Sequence, residues 1–353
     1  MNTNVNANAA ANSPMPGAYV QSPVINYTHA IRSSRRRAVQ VIAAASLSLP
    51  TIITRAQSNP VRLVVGFAAG GGLDLLARAV GEQLSQQLGR PVIVENKLGA
   101  AGRLAVDAVK TAKPDGDTLL VCPQGPLTLF PYVFKNLKYD PFTDLAPVTR
   151  LATYDVGFGL GPQSGTDSLP KFLDWAKSHP NQANYGSSGA GTLLHFTGVS
   201  LSQISGVKLT HVPYKGAVLA VADVIGGSIP MTVSPMSDMF EHHKLGRLRV
   251  AAITSPQRSP LTPDIATCKE LGIDIEVPGW YALYGPTGMP SELAEQLNRL
   301  VTQALSTASI RERCLKMGMI AAGTTRAQTL ELQQREFALW GKMVKASGFT
   351  PED

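Results

Sequence analysis

The sequence predicts an α/β protein built on a largely parallel sheet with helices on both faces. From Val61 onward, short apolar, β-branched runs alternate with segments whose apolar residues recur every three or four positions. Glycine-rich turns lie between such a run and the helix after it, at Gly70-Gly71-Gly72 and again at Gly189-Ala190-Gly191. Beyond the leader, no apolar stretch is long enough to span a membrane.

At 353 residues, 44% hydrophobic and 16% charged, the chain has room for two domains and a substantial core. Its formal charge of +7 is unevenly placed. Arg32, Arg35, Arg36, Arg37 and Arg55 fall before residue 57 with no acid among them, which leaves a surplus of about +2 on the remainder. That scattered remainder points to no nucleic-acid partner. Cys122, Cys268 and Cys314 have no metal or redox spacing, and His242 and His243 are neighbours pointing different ways on a predicted surface helix. Neither a metal nor a cofactor is expected.

Residues 1–56 read as a leader. A polar, Asn- and Ala-rich start (with Met15 as an alternative first residue) leads to Arg32-Ser33-Ser34-Arg35-Arg36-Arg37, and then to the apolar run Ala38 to Ile53. Basic, then apolar, then small residues is the order of a cleaved export signal, by the Sec or the twin-arginine route. An exported chain is therefore expected.

The first strand is predicted from Val61 to Phe67, followed by a helix carrying Leu76, Val80, Leu84 and Leu88 on one stripe. Strands follow at Pro91 to Glu95 and Thr118 to Val121, with a helix from Leu104 to Thr111. The segment Pro123 to Pro131 lies just beyond the third strand, where ligands sit in open parallel sheets. A change of texture around Gly157 to Gly165 marks a crossing into a second lobe, and Gly279-Trp280 marks the return. These boundaries give residues 57–158 plus 279–353 to one lobe and residues 159–278 to the other. In the second lobe, helices are expected at Leu169 to Ser178, Leu193 to Ile204, Ala217 to Ile225 and Met239 to Leu245. Strands are expected there at Lys208 to Val212, Ile229 to Val233 and Leu248 to Thr254. The strand Tyr281 to Tyr284 and helices at Glu292 to Leu305, Ser309 to Met317 and Thr329 to Ala346 complete the first lobe.

Two strand-to-helix turns carry the chemistry. Backbone N–H groups at the start of a helix lack internal partners, and with the positive end of the dipole they form an anion cradle. Neither turn contains Lys or Arg, which suits a carboxylate better than a polyphosphate. Gly186-Ser187-Ser188-Gly189-Ala190 also approaches a nucleophile elbow, so a secreted serine hydrolase using Ser188 is the competing expectation. Its only nearby bases are His195 and His211, and no histidine follows His243. Tyr214 and Lys215 follow a strand and are placed either toward the crevice or in a solvated turn.

The ordered set VRLVVGFAAGGGLDLLAR, VIVENKLGAAG, KPDGDTLLV, YGSSGAGTLLH, HVPYKGAV, GRLRVAAITSPQRSPLTPDIAT and GWYALYGPTGMP closely resembles the Bug receptors. These are the extracytoplasmic solute-binding proteins of tripartite tricarboxylate transporters. The resemblance covers about Asn59 to Gly348, with departures at Ala68-Ala69, Ala266 and Met289. It implies a two-lobed, type II-like periplasmic-binding-protein fold that is monomeric and closes its inter-lobe cleft on a small organic carboxylate. The implied partners are the membrane permease subunits of such a transporter, or a sensor kinase. No catalytic step is implied. The expected ligand contacts are Phe67, Ala69, Gly70, Gly71, Gly72 and Asp74 in the first turn and Gln124 beyond the third strand. Ser187, Ser188, Gly189, Gly191 and Thr192 are expected from the second turn, with His195 and Tyr214 beside it.

Overall fold

The computed structural model describes residues 59–346 and 349–351. The leader, its basic stretch and the apolar run Ala38 to Ile53 lie outside the described residues. Among the described residues, ten strands form the sheet. No described helix is long and apolar enough to cross a membrane.

Two parallel blocks make up the sheet. In the first, β1 (Val61–Val65) lies between β2 (Val92–Asn96) and β3 (Thr118–Pro123) and is parallel to both. In the second, β5 (Asn184–Ser187) lies parallel to β6 (Thr210–Pro213) and β7 (Met231–Pro235). Antiparallel strands join the blocks. The strand β9 (Pro278–Pro286) pairs with β3 on one side and with β4 (Leu145–Leu160) on the other. At Val156 β4 changes partners: before it the neighbours are β9 and β10 (Met319–Ala321), and from it onward they are β7 and β8 (Arg249–Ile253).

The sheet is therefore mixed, which corrects the largely parallel expectation. Strand–helix–strand crossovers within each block carry a visible period, whereas the antiparallel strands between blocks have no helix to announce them. The 16-residue β4 has no counterpart among the predicted strands. Its Gly157 and Gly159 open the stretch read as a crossing into a second lobe, and each lies flat beneath the helix α8 (Met236–Lys244). A Cβ on Gly159 would fall 2.6 Å from the Met239 sulfur. The strand is glycine-bearing because a helix lies directly on it.

Helices cover the faces. They are α1 (Gly72–Leu88), α2 (Arg103–Lys110), the single turns α3 (Gly125–Thr128) and α4 (Phe130–Val133), and α5 (Leu169–Ser178). Then come α6 (Leu193–Ser205), α7 (Ala217–Ile225), α8, α9 (Ser291–Ser306), α10 (Ala308–Lys316) and α11 (Arg326–Ala346). On α1 the stripe Leu73, Leu76, Ala77, Val80 and Leu84 is buried, each leucine contributing roughly 2 kcal/mol of apolar burial. Gly89 in the left-handed region ends that helix.

The long helix α11 is held to β9 by two buried hydrogen bonds. Tyr284 Oη donates to Gln333 Oε1 at 3.0 Å, and Trp280 Nε1 donates to Glu336 Oε2 at 2.8 Å. Burial pushes the Glu336 carboxyl up to about 7, opposed by the Trp280 bond and by Arg335 and Arg150. Folded protein thus keeps a proton that the unfolded chain releases above its ordinary carboxyl range. Stability from this group is complete below about pH 4.5 and is lost as pH rises through 7. Substituting Glu336→Gln keeps an acceptor for Trp280 and removes the titration. In urea titrations at pH 5 and pH 8, the variant is expected to gain on wild type by roughly 1–3 kcal/mol across that interval. A constant difference between the two proteins would contradict it.

Candidate functional site

Turns leaving the carboxyl ends of β1, β3, β5, β6 and β7 converge on one cavity of about 580 Å³, counted out to its open mouth. Phe67, Ala68, Gly71, Gly72 and Leu73 line it from the β1–α1 turn, and Pro123, Gly125, Pro126 and Phe130 from beyond β3. Ser188, Thr192, Leu193 and Leu194 come from the β5–α6 turn, and Gly216, Ala217 and Val218 from the β6–α7 turn. Pro235 and Asp238 come from the β7–α8 turn, while Tyr154 of β4 and Tyr281 of β9 complete the wall. This is the carboxyl-end crevice of an α/β sheet, assembled from both parallel blocks.

The first turn is rigid from below. Asp74, only 2% exposed, accepts from the Gly70 amide at 3.0 Å, from Asn96 Nδ2 at 2.9 Å, and from Arg78 Nε and Nη2. Burial pushes its carboxyl up, but Arg78, the Gly70 amide and Asn96 outweigh that and hold it below the ordinary range. Asn96 also donates to the Phe67 carbonyl at 3.1 Å. At the tip, Gly71 is the N-cap of α1 and offers no side-chain cap. The Gly72 amide is instead met across the cavity by Asp238 Oδ1 at 2.6 Å. Ala68 N donates to the Lys215 carbonyl at 3.2 Å, a second contact between the two parallel blocks.

The second turn is braced by histidines. Ser187 is wholly buried, and its Oγ lies 2.7 Å from His211 Nε2. Gly191 N donates to His195 Nδ1 at 3.1 Å, and the two imidazoles stack at 4.1 Å. Burial lowers His195 to about 4, and burial together with His195 lowers His211 to about 3, so both rings are neutral at pH 7. Thr192 Oγ1 caps α6 by accepting from His195 N at 3.3 Å and donates to the Gly189 carbonyl at 2.8 Å. Gly191 adopts φ +73°, and a Cβ there would fall 2.5 Å from the Phe134 ring.

The structure gathers Phe67, Gly71, Gly72, Ser188 and Thr192 of the expected contacts along the cavity wall. Gly189 and Gly191 shape the second turn, and Ala69 and Gly70 lie exposed at the outer side of the first. Five expected contacts have their polar atoms committed elsewhere. Asp74, Ser187 and His195 hold the turns from behind, as described. Gln124 is 1% exposed and spans to β9, donating to the Pro278 carbonyl at 2.7 Å and accepting from Trp280 N at 2.6 Å. Tyr214 Oη donates to Asp223 Oδ2 at 2.6 Å. The resemblance puts these five among the expected contacts, and the folded chain gives each a partner of its own. His243, expected at the surface, has a side chain only 8% exposed and accepts from Val250 N at 3.3 Å.

A hydrolytic dyad does not form at Ser188. Among the described residues no histidine bonds to it, and His211 is taken by the buried Ser187. The expectations also lacked Asp238, Tyr154 and Tyr281. The tyrosine rings pack at 4.3 Å, and a Cβ on Gly279 would fall 2.1 Å from the Tyr154 ring. Asp238 follows a strand at its carboxyl end, the one signal that marks it. Burial raises its carboxyl to about 6, opposed by the Gly72 amide.

Residues 76–349 match the model of the tripartite tricarboxylate transporter family receptor. The chain belongs to that family. Protein BugT of Bordetella pertussis is 28% identical over 87% of this chain and 95% of its own length. The solved periplasmic binding protein BugD is 26% identical with a TM-score of 0.79, covering 83% of this chain and 99% of that one. Rpa4515 of R. palustris, solved with adipate, is 27% identical with a TM-score of 0.80, covering 84% and 99%. The periplasmic-binding-protein fold of the tripartite tricarboxylate receptors is thus the fold of this chain.

In this receptor the starts of α1 and α8 approach only because position 72 has no side chain. A Cβ on Gly72 would fall 2.3 Å from the Ser237 Cβ, which no rotation relieves, whereas one on Gly71 would stay at least 3.4 Å from its neighbours. Gly72→Ala is expected to cost roughly 1–3 kcal/mol in urea titrations, with Gly71→Ala near neutral. Adding Ser237→Gly to Gly72→Ala should recover part of the loss. Equal costs at positions 71 and 72 would contradict the packing.

Proposed function

We propose that the chain is an exported receptor that captures a small organic carboxylate between two lobes and delivers it to the permease subunits of a tripartite tricarboxylate-type transporter. One observation carries the reading: two amide-rich helix starts, one from each parallel block, face a cavity with no Lys or Arg among its described lining residues. Neutral N–H and O–H groups at helix N-termini recognise a carboxylate without a compensating cation. The adipate held by Rpa4515 supports the same class of cargo.

In this reading residues 57–158 and 279–353 move as one lobe and residues 159–278 as the other, with β4 and β9 as the crossings. The receptor works as a monomer in the periplasm after cleavage of its Sec or twin-arginine signal. An open form admits the acid, and bridging both turns favours the closed form. Binding and release complete the cycle, with no bond made or broken in the cargo.

The test is a thermal-shift panel of small carboxylic acids on the mature chain from Gln57. A ligand that binds only folded protein stabilises it by RT ln(1 + [L]/Kd). One chemical group of acids is expected to raise the melting temperature. The Ser188→Ala, Gly71→Val double variant should stay folded, since a Cβ at position 71 meets nothing closer than 3.4 Å, and lose at least tenfold in affinity. No response to any acid, or undiminished affinity in the double variant, would contradict the proposal.

A further inference from the structure

Asp238 is the anomaly of the cavity. Among its described lining residues, it alone carries a side chain of the carboxylate or cationic type, so a site built from neutral donors contains one fixed negative group. One carboxylate oxygen accepts from the Gly72 amide at 2.6 Å. No other described group donates to that carboxylate, and no Lys or Arg lines the cavity to balance it. Lys215, on the adjoining β6–α7 turn, is exposed to solvent. The neighbouring tyrosine Tyr281 has its hydroxyl 3.3 Å from the Ser237 hydroxyl.

We infer that Asp238 sets the specificity of the receptor for monocarboxylates that bear a hydrogen-bond donor, an ammonium or a hydroxyl, away from the carboxylate. The inference rests on the carboxylate-receptor reading and adds the second half of the ligand to it. The cargo carboxylate takes the amides and hydroxyl of the second turn around Ser188, together with the start of α1 apart from the Gly72 amide, which Asp238 holds. Its donor meets the free lone pairs of Asp238 in a charge-assisted hydrogen bond. A second ionised carboxylate in the same place would face Asp238 with no Lys or Arg among the described lining residues, which disfavours it. A plain alkanoate would leave the Asp238 carboxylate covered with the Gly72 amide as its one described donor. The acid that suits Asp238 therefore differs from adipate, whose two ends are both carboxylates.

The experiment is isothermal titration at pH 8 with matched acids of three to six carbons: the plain acid, its hydroxy acid, its amino acid and the dicarboxylate of the same length. Wild type is expected to bind the hydroxy or amino acid at least tenfold tighter than the dicarboxylate of that length. The hydroxy and amino arms separate the two kinds of donor. Asp238→Asn should lower affinity for the preferred acid at least tenfold while raising that for the dicarboxylate. A dicarboxylate as the tightest wild-type ligand, or an equal loss for every acid in Asp238→Asn, would overturn the inference and leave the carboxylate receptor standing. No binding by any acid would overturn the receptor reading itself, and the inference with it. Should Asp238→Asn fail to fold, the wild-type ranking decides alone.

Discussion

The approach of two helix starts across one cavity governs the structure. At position 72 there is no room for a Cβ, because Ser237 at the start of α8 fills that space. The Gly72 amide, with no partner inside its own helix, turns to Asp238 on the facing element. Side chains behind the cavity hold the turns that line it. Asp74 and Asn96 stiffen the first turn from beneath, and the His195–His211 pair stiffens the second. The backbone amides at the tips are thereby aimed by side chains that do not themselves reach the cavity.

Such a site gains its selectivity for anions from geometry rather than from charge. A lysine would attract any anion, whereas amides fixed at two helix starts favour a small planar group placed between them. Lowered imidazole titration keeps both histidines neutral at pH 7, so the second turn presents no cation. The strand β4 joins this site to the rest of the molecule. Its first part belongs to the block of β1 and its last part to the block of β7, and the partner change at Val156 lies two residues after the cavity-lining Tyr154.

Much of this was legible in the sequence, because glycine-rich strand-to-helix turns announce both their backbone freedom and their unpaired amides. Phe67, Gly71, Gly72, Ser188 and Thr192 lie on the cavity for that reason. What escaped the sequence was the direction in which polar side chains turn. Asp74, Gln124, Ser187, His195 and Tyr214 are ligand-type residues in ligand-type positions, yet each satisfies a backbone or side-chain partner that only the folded chain brings near. Asp238 escaped for the opposite reason. The helix is expected to begin at Met239, so Asp238, in the first turn of α8, falls between the expected strand and the expected helix. Within β4, Gly157 and Gly159 hid a strand inside what read as a lobe crossing, because the alternation that marks strands fails where a helix needs a flat surface.

The claim that both turns grip one carboxylate is tested most directly by amide NMR. Labelled protein would be titrated with the tightest acid of the panel while the amide signals of residues 69–73 and 188–192 are followed. Both sets are expected to shift together along one binding curve with a single Kd. Shifts confined to one turn, or two curves with different Kd values, would contradict a shared site.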